Sequence, residues 1–331
     1  MKILITGGAG FIGLNLATNL AKQGHEVVLV DNFFRGRRDA DLEKIIQLPN
    51  VTLITADLTK LSDFEKIGAG YDHVYHLAAV NGTRNFYERP AEVLRIDTLT
   101  TLYMLEWMRD KNPKGKFLFT SSNEAYAGLE TLGKLPIPTP ENVPLIVSDV
   151  WNPRWSYGGT KLIGELLVIN YGRQYNFPFV IVRPHNFYGP RAGFDHVIPQ
   201  FLRRIYDSEN PFAIFGAEET RSFCYIDDAT RAMILTMNTN ECQNQIIHIG
   251  TTEETKIGDL ALMMFDLFDF HPQVEIKSAP EGSVKRRLAD VAKLQKLTGW
   301  QQGVSLREGL KKTQQWYEKQ FKNQDLISNK K

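Results

Sequence analysis

The chain has 331 residues, with 39 Lys and Arg against 38 Asp and Glu. That balance, with no Lys/Arg block interleaved with aromatics, excludes a basic nucleic-acid surface. No apolar run approaches the ~20 residues that span a bilayer, so no membrane partner is expected. Two cysteines, Cys224 and Cys242, cannot staple a chain of this length, and no Cys/His cluster has metal spacing. Reduced thiols in the cytoplasm and no metal are therefore expected.

The first residues, Met1-Lys2-Ile3-Leu4-Ile5-Thr6, read as a strand entering a glycine turn rather than as a signal peptide. Further strand-like runs follow at residues 26–30, 51–55, 73–76, 116–120 and 179–183, separated by helical stretches such as 12–23, 90–110 and 157–175. Short apolar strands alternating with helices predict an α/β fold with a parallel, doubly wound sheet of the Rossmann type. After Arg183 the alternation stops, and Pro184, Gly189, Pro190 and Gly193 mark a long loop. Residues 247–250 read as one more strand returning to the sheet, and about 255 to 319 as mostly helical, part of a lid. The expected division is a Rossmann domain of residues 1–183 plus about 223–250 and a smaller mixed, largely helical lobe of about 184–222 plus 251–322. A frayed polar tail, 323–331, follows.

Gly7, Gly10 and Gly13 follow the first strand and open the first helix. The first allows a tight turn, the second lets backbone approach a pyrophosphate, and the third lets the helix pack on the sheet. The amides opening that helix, at Phe11, Ile12 and Gly13, would face the negative charge. Asp31 ends the second strand. A carboxylate there hydrogen-bonds adenosine ribose hydroxyls and repels a 2′-phosphate, which predicts NAD over NADP. Arg35, Arg37 and Arg38 lie close enough in sequence to soften that preference. Asp57, after the third strand, would meet the adenine or cap a helix. Tyr157 and Lys161, four apart, share one face of a helix. An ammonium beside the phenol and a cationic nicotinamide both favour the phenolate, which can take a proton from a sugar hydroxyl as hydride leaves.

With these residues the chain resembles the extended short-chain dehydrogenase/reductase family of NAD-dependent nucleotide-sugar epimerases, dehydratases and decarboxylases. The resemblance rests on Thr6 to Gly13, Asp31-Asn32, Ala56-Asp57-Leu58, His76-Leu77-Ala78-Ala79, Ser121-Ser122 and Tyr157-Gly158-Gly159-Thr160-Lys161. It continues through Arg183 to Pro190 and Arg221 to Asp228. It implies that Asn32, Leu58, Leu77, Ala78 and Ala79 line the cofactor site, that Lys161 holds the nicotinamide ribose, and that Ser122 meets the C4 hydroxyl of a nucleotide-diphosphate sugar beside Tyr157. Asn186 and Arg221 would approach the diphosphate, with Arg286 or Arg287 as another phosphate ligand and Arg191 and His196 also on the substrate side. Asp97 stands where relatives often carry Asn.

The fate of a 4-ketone would depend on Ser122-Asn123-Glu124. Asn123 cannot be the acid of a glucose-type 4,6-dehydratase, because an amide does not ionise usefully. UDP-glucuronate decarboxylases resemble the chain at Asp31 to Arg37, Asn85 to Pro90 and Asn152 to Tyr157. GDP-mannose 3,5-epimerases resemble it at Ser148 to Trp151, His185 to Pro190 and Pro280-Glu281-Gly282. By that second likeness Glu124 and His196 would move ring protons. The expectation is an NAD-recycling nucleotide-sugar epimerase acting through C4 oxidation and acid/base chemistry at C5, with C3 as a second position. Decarboxylation or 4,6-dehydration is the alternative. A non-catalytic NAD-binding protein would be expected to lack Tyr157 or Lys161, and Asp31 argues against an NADPH-dependent ketone reductase. By resemblance the chain forms a homodimer through the helices at 90–110 and 157–175.

Overall fold

A computed structural model describes residues 1–279 and 284–328. Pro280, Glu281 and Gly282 lie outside the described residues. The first half alternates strand and helix: β1 (Lys2–Thr6), α1 (Phe11–Lys22), β2 (Glu26–Asp31), α2 (Ala40–Ile46), β3 (Val51–Thr55), β4 (His73–His76), α3 (Thr83–Glu88), α4 (Pro90–Lys111) and β5 (Lys116–Thr120). A 3-10 turn (Asn123–Tyr126), α5 (Gly128–Thr131), α6 (Trp155–Tyr175) and β6 (Phe179–Pro184) follow. The second half holds β7 (Phe187–Tyr188), α7 (Val197–Tyr206), β8 (Phe212–Phe215), β9 (Thr220–Ser222), β10 (Cys224–Tyr225), α8 (Ile226–Asn238) and β11 (Gln245–Ile249). It ends with β12 (Glu254–Lys256), α9 (Ile257–Phe268), β13 (Val274–Lys277), β14 (Arg286–Arg287), α10 (Ala292–Thr298) and α11 (Leu306–Ser328).

Seven strands form one parallel sheet in the order β11-β6-β5-β4-β1-β2-β3. Strands β1 to β5 are runs of Ile, Val, Leu, Phe and Tyr because both faces are covered. On one face α1 and α8 pack with α7, α9 and α11 around a core containing Leu16, Leu29, Met233 and Trp300. On the other, α4 and α6 cover Val74, Phe117 and Ile181. The chain runs from β1 outward to β3, then returns to place β4 on the other side of β1. The crevice beyond the carboxyl ends of β1 and β4 is thus the switch point where such sheets bind ligands.

The expected strands and long helices are present within two residues of their predicted ends, and the return strand is β11, parallel to β6. The stretch from 255 to 319 differs from expectation. It carries three short strands, β12 to β14, which join β9 and β8 in two small sheets. Helix α11 runs to Ser328, beyond Lys322. No described helix is long and apolar enough to cross a membrane.

Candidate active site

A trough opens beyond β1 and β4 and runs from the glycine loop to Tyr157, and a smaller chamber adjoins it. Gly10, Phe11, Ile12 and Gly13 line its inner end. Gly10 caps α1 without a side-chain hydrogen bond, so the opening amides of that helix face the trough. At Gly13 the space is filled by backbone: a Cβ there would come within 2.3 Å of the Gly7 carbonyl oxygen. This loop can hold a diphosphate, and NAD fits the residues around it.

Asp31 is buried and works on the backbone. Its Oδ2 accepts from Ala9 N at 2.9 Å and its Oδ1 from Phe33 N at 2.8 Å. Burial raises its pKa, and those two bonds with Arg191 oppose the rise. Asn32, Leu58, Leu77, Ala78 and Ala79 line the trough as expected from sequence. Asp57 does not. Its Oδ1 accepts from Thr59 N and Oγ1, and Lys60 pairs with it at 3.6 Å, so it caps its own turn while Ala56, Leu58 and Thr59 face the cavity.

At the far end of the trough, Tyr157 and Lys161 project from α6, and Ser122 and Asn123 follow β5. Tyr157 and Ser122 line this end of the trough together. The Tyr157 ring stacks on Phe86 at 5.0 Å between centroids. Lys161 Nζ donates to the Thr120 carbonyl at 2.9 Å and lies 5.3 Å from the Tyr157 ring centre. Burial, then Asp97 and Glu124, raise the phenol's pKa. Burial lowers that of Lys161, against Asp97 and Glu165. Asp97 is itself buried: its Oδ1 accepts from Val80 N at 2.6 Å and its Oδ2 from Thr160 Oγ1 at 3.4 Å. Burial pushes it up to about 6 despite Lys161 and the bond from Val80.

Glu124 has an environment the sequence did not predict. Its carboxylate lies 2.9 Å from Arg287 Nη1 and 3.7 Å from Arg154 Nη2. Burial alone would raise its pKa, but the two guanidiniums overcome that and hold it low. Glu124 is therefore ionised at neutral pH. Arg287 Nη1 also reaches Asn123 Oδ1 at 3.4 Å, and its buried Nη2 has no hydrogen-bond partner among the described residues.

The other substrate-side candidates separate. Asn186 and His196 line both cavities, and Arg221 lines the smaller chamber, paired with Glu219 at 3.1 Å. Asn186 Nδ2 donates to the Ser222 carbonyl at 2.9 Å. His196 is solvent-exposed at the edge of the cleft, and partial desolvation and then Arg35 work to lower its pKa. Arg286 points away from the cleft, 52% exposed, and pairs with Glu254 at 2.6 Å. Arg191 belongs to the dinucleotide end, bound to Asp39 and to the carbonyls of Gly10 and Arg37. Phe86, Arg154 and Asp195 were not singled out from sequence. Phe86 and Arg154 do fall in the stretches that carried the decarboxylase likeness.

Comparison with known proteins agrees with this geometry. The model of the NAD dependent epimerase/dehydratase family matches residues 3–250. The chain is 32% identical over 327 residues to UDP-N-acetyl-alpha-D-glucosaminuronate decarboxylase of Bacillus cytotoxicus, covering 96% of this chain and 97% of that one. It superposes on UDP-glucose 4-epimerase of Thermotoga maritima, solved with UDP-glucose, with a TM-score of 0.85 at 29% identity, covering 97% and 100% of the two chains. For UDP-glucuronic acid 4-epimerase of Bacillus cereus, solved with UDP-glucuronic acid and NAD, the TM-score is 0.82 at 29% identity, over 96% and 99%.

Proposed function

Because the chain belongs to the NAD dependent epimerase/dehydratase family, we propose that it is a redox-neutral epimerase of a nucleotide-diphosphate sugar, working through transient oxidation at C4. The observation that carries this reading is Tyr157, buried at the end of the trough, with Ser122 lining the same end and Lys161 one helical turn away. NAD, when bound, supplies the hydride acceptor and later donor, with a cationic ring near the phenol. Tyr157 Oη takes the proton of the C4 hydroxyl as the C4–H bond breaks, and returns it when the ketone is reduced from the other face. Ser122 Oγ orients that hydroxyl, and Lys161 keeps a positive charge beside the phenol. Arg221 suits the diphosphate, and Phe215 and Phe223 in the same chamber suit a base.

The ion pairs of Glu124 support inversion at C4 itself. A carboxylate whose pKa two arginines hold low is a weak base for a C5 proton and has none of its own to return. A second reading, decarboxylation of a hexuronate, is favoured by the unpartnered Nη2 of Arg287, a donor suited to a substrate carboxylate. Incubation with UDP- and GDP-hexoses and hexuronates in D₂O separates the outcomes by NMR and mass. Inversion at C4 without deuterium uptake is expected. Loss of carbon dioxide means decarboxylation, loss of water means dehydration, and deuterium at C3 or C5 restores the ring-proton chemistry expected from sequence.

The exposed Leu94 on α4 and Ile163 and Leu166 on α6 support a homodimer through these helices, which sedimentation checks. Two unbridged cysteines support a cytoplasmic setting.

A further inference from the structure

The segment between β2 and α2, residues 32–39, forms part of the wall of the trough. Asn32, Phe34, Arg35, Gly36 and Arg37 line the cavity, and Gly36 and Arg37 lie beside the glycine loop. The segment is tied to the first half of the chain by Asp31, which accepts from Phe33 N, and by Arg37 N, which donates to the Ala9 carbonyl at 3.3 Å. Gly36 presses on the same corner: a Cβ there would lie 2.6 Å from Asp31 Oδ1 and 2.9 Å from the Ala9 Cβ.

The end next to α2 is tied by one residue from the second half of the chain. Arg191 is buried and sits in the left-handed region at φ 70°. Its Nε donates to Asp39 Oδ2 at 2.9 Å, its Nη1 to the Gly10 carbonyl at 3.1 Å and its Nη2 to the Arg37 carbonyl at 3.1 Å. One guanidinium thus joins the glycine loop, this segment and the start of α2. Leu14 N takes the other side of the Gly10 carbonyl at 3.1 Å. With that carbonyl held from two sides, the planar trans peptide holds the Phe11 N–H opposite it, toward the trough. The corner is closed further by α11, where Trp316 Nε1 donates to Asp41 Oδ2 at 2.7 Å and the Tyr317 hydroxyl to the Ala192 carbonyl. Nearer the catalytic end, Arg35 Nη2 lies 3.8 Å from Asp195 Oδ2.

We propose that residues 32–39 form a strap that retains the bound dinucleotide, and that Arg191 is the positioning residue that latches it. Lifting the strap takes the Asp39 carboxylate and the Arg37 carbonyl away from the buried guanidinium, so opening is costly and release is slow. Such retention suits a reaction that returns its hydride to the same sugar and needs no exchange of cofactor.

The test reads release directly. Wild-type chain, Arg191→Lys and Asp39→Ser are loaded with NADH, whose fluorescence reports occupancy, and chased with excess NAD, with no sugar present. The result is therefore independent of what happens at C4. Asp39 caps α2 by accepting from Leu42 N at 3.1 Å, and serine keeps that cap while removing the carboxylate from Arg191. Release about tenfold faster is expected for Asp39→Ser and more for Arg191→Lys, the ordinary effect of losing a charged hydrogen bond. Acceleration of about fivefold or more in either variant supports the latch. A smaller change in both overturns it, including the case where only the melting temperature of the cofactor-free chain falls. If Arg191→Lys fails to fold, Asp39→Ser decides alone.

Discussion

The two ends of the cleft are built from different materials. The dinucleotide end is made of backbone: the uncapped amides of α1, a glycine packed on a carbonyl, and an aspartate whose oxygens hold two N–H groups. The sugar end is made of ionisable side chains from separate elements: Tyr157 and Lys161 on α6, Asp97 on α4, Glu124 after β5 and Arg287 on β14. Backbone sites depend on local conformation and tolerate little added volume. Side-chain sites depend on charge balance, which one substitution can shift without disturbing the fold.

The largest effect separates the two ends most cleanly. Tyr157→Phe should lower kcat about 10³-fold, the range for losing a general base, with NAD content unchanged. Turnover near the wild-type level would remove Tyr157 from the chemistry. Next, Arg287→Ala leaves the half-buried Glu124 with Arg154 as its remaining ion-pair partner among the described residues. A fall of about 100-fold in kcat/KM is expected, with cofactor binding retained. Adding Glu124→Gln should then cost little more, because the two act as a pair. Strict additivity in that cycle would mean they act separately.

Gly13→Ala works in the opposite sense. Its Cβ would meet the Gly7 carbonyl at 2.3 Å, so a loss of about 2 kcal/mol in stability and weaker NAD binding are expected from overpacking. Calorimetry and NAD titration check both. An unchanged affinity would show that the loop yields more readily than its packing suggests.

The smallest effect is a shift rather than a loss. Burial pushes Asp97 up to about 6, so it is ionised at neutral pH, where its charge raises the pKa of both Tyr157 and Lys161. Asp97→Asn removes that charge, so both groups should release their protons at lower pH. The pH–rate profile of kcat/KM should move toward acid on both limbs. An unmoved profile would reduce Asp97 to a peg for Val80 N.

Several side chains end up where the sequence alone does not place them, each for its own physical reason. Arg286 and Arg287 are adjacent in a strand, so their side chains leave on opposite faces. One meets Glu254 outside and the other Glu124 inside. The sequence presents them as equivalent. Arg191 was expected near the substrate, but the left-handed turn after Pro190 sends it to Gly10 instead. Asp57 finds its donors two residues away in Thr59 before any ligand is considered. The strands β9, β12 and β14 span two or three residues each, too short for an alternating pattern to register.

By itself the sequence determined the sheet, the long helices, the glycine loop with Asp31, and the Tyr157–Lys161 pair. Each of these is written in contiguous residues or in one helical repeat, where local geometry dictates the outcome. Tertiary structure alone decided which arginine faces Glu124, that Glu124 is held between two arginines, and that Arg191 closes the dinucleotide end. Those outcomes depend on groups brought together across more than 100 residues of chain, between Glu124 and Arg287 and between Gly10 and Arg191. Burial there changes what a side chain can do, and no local pattern carries that information.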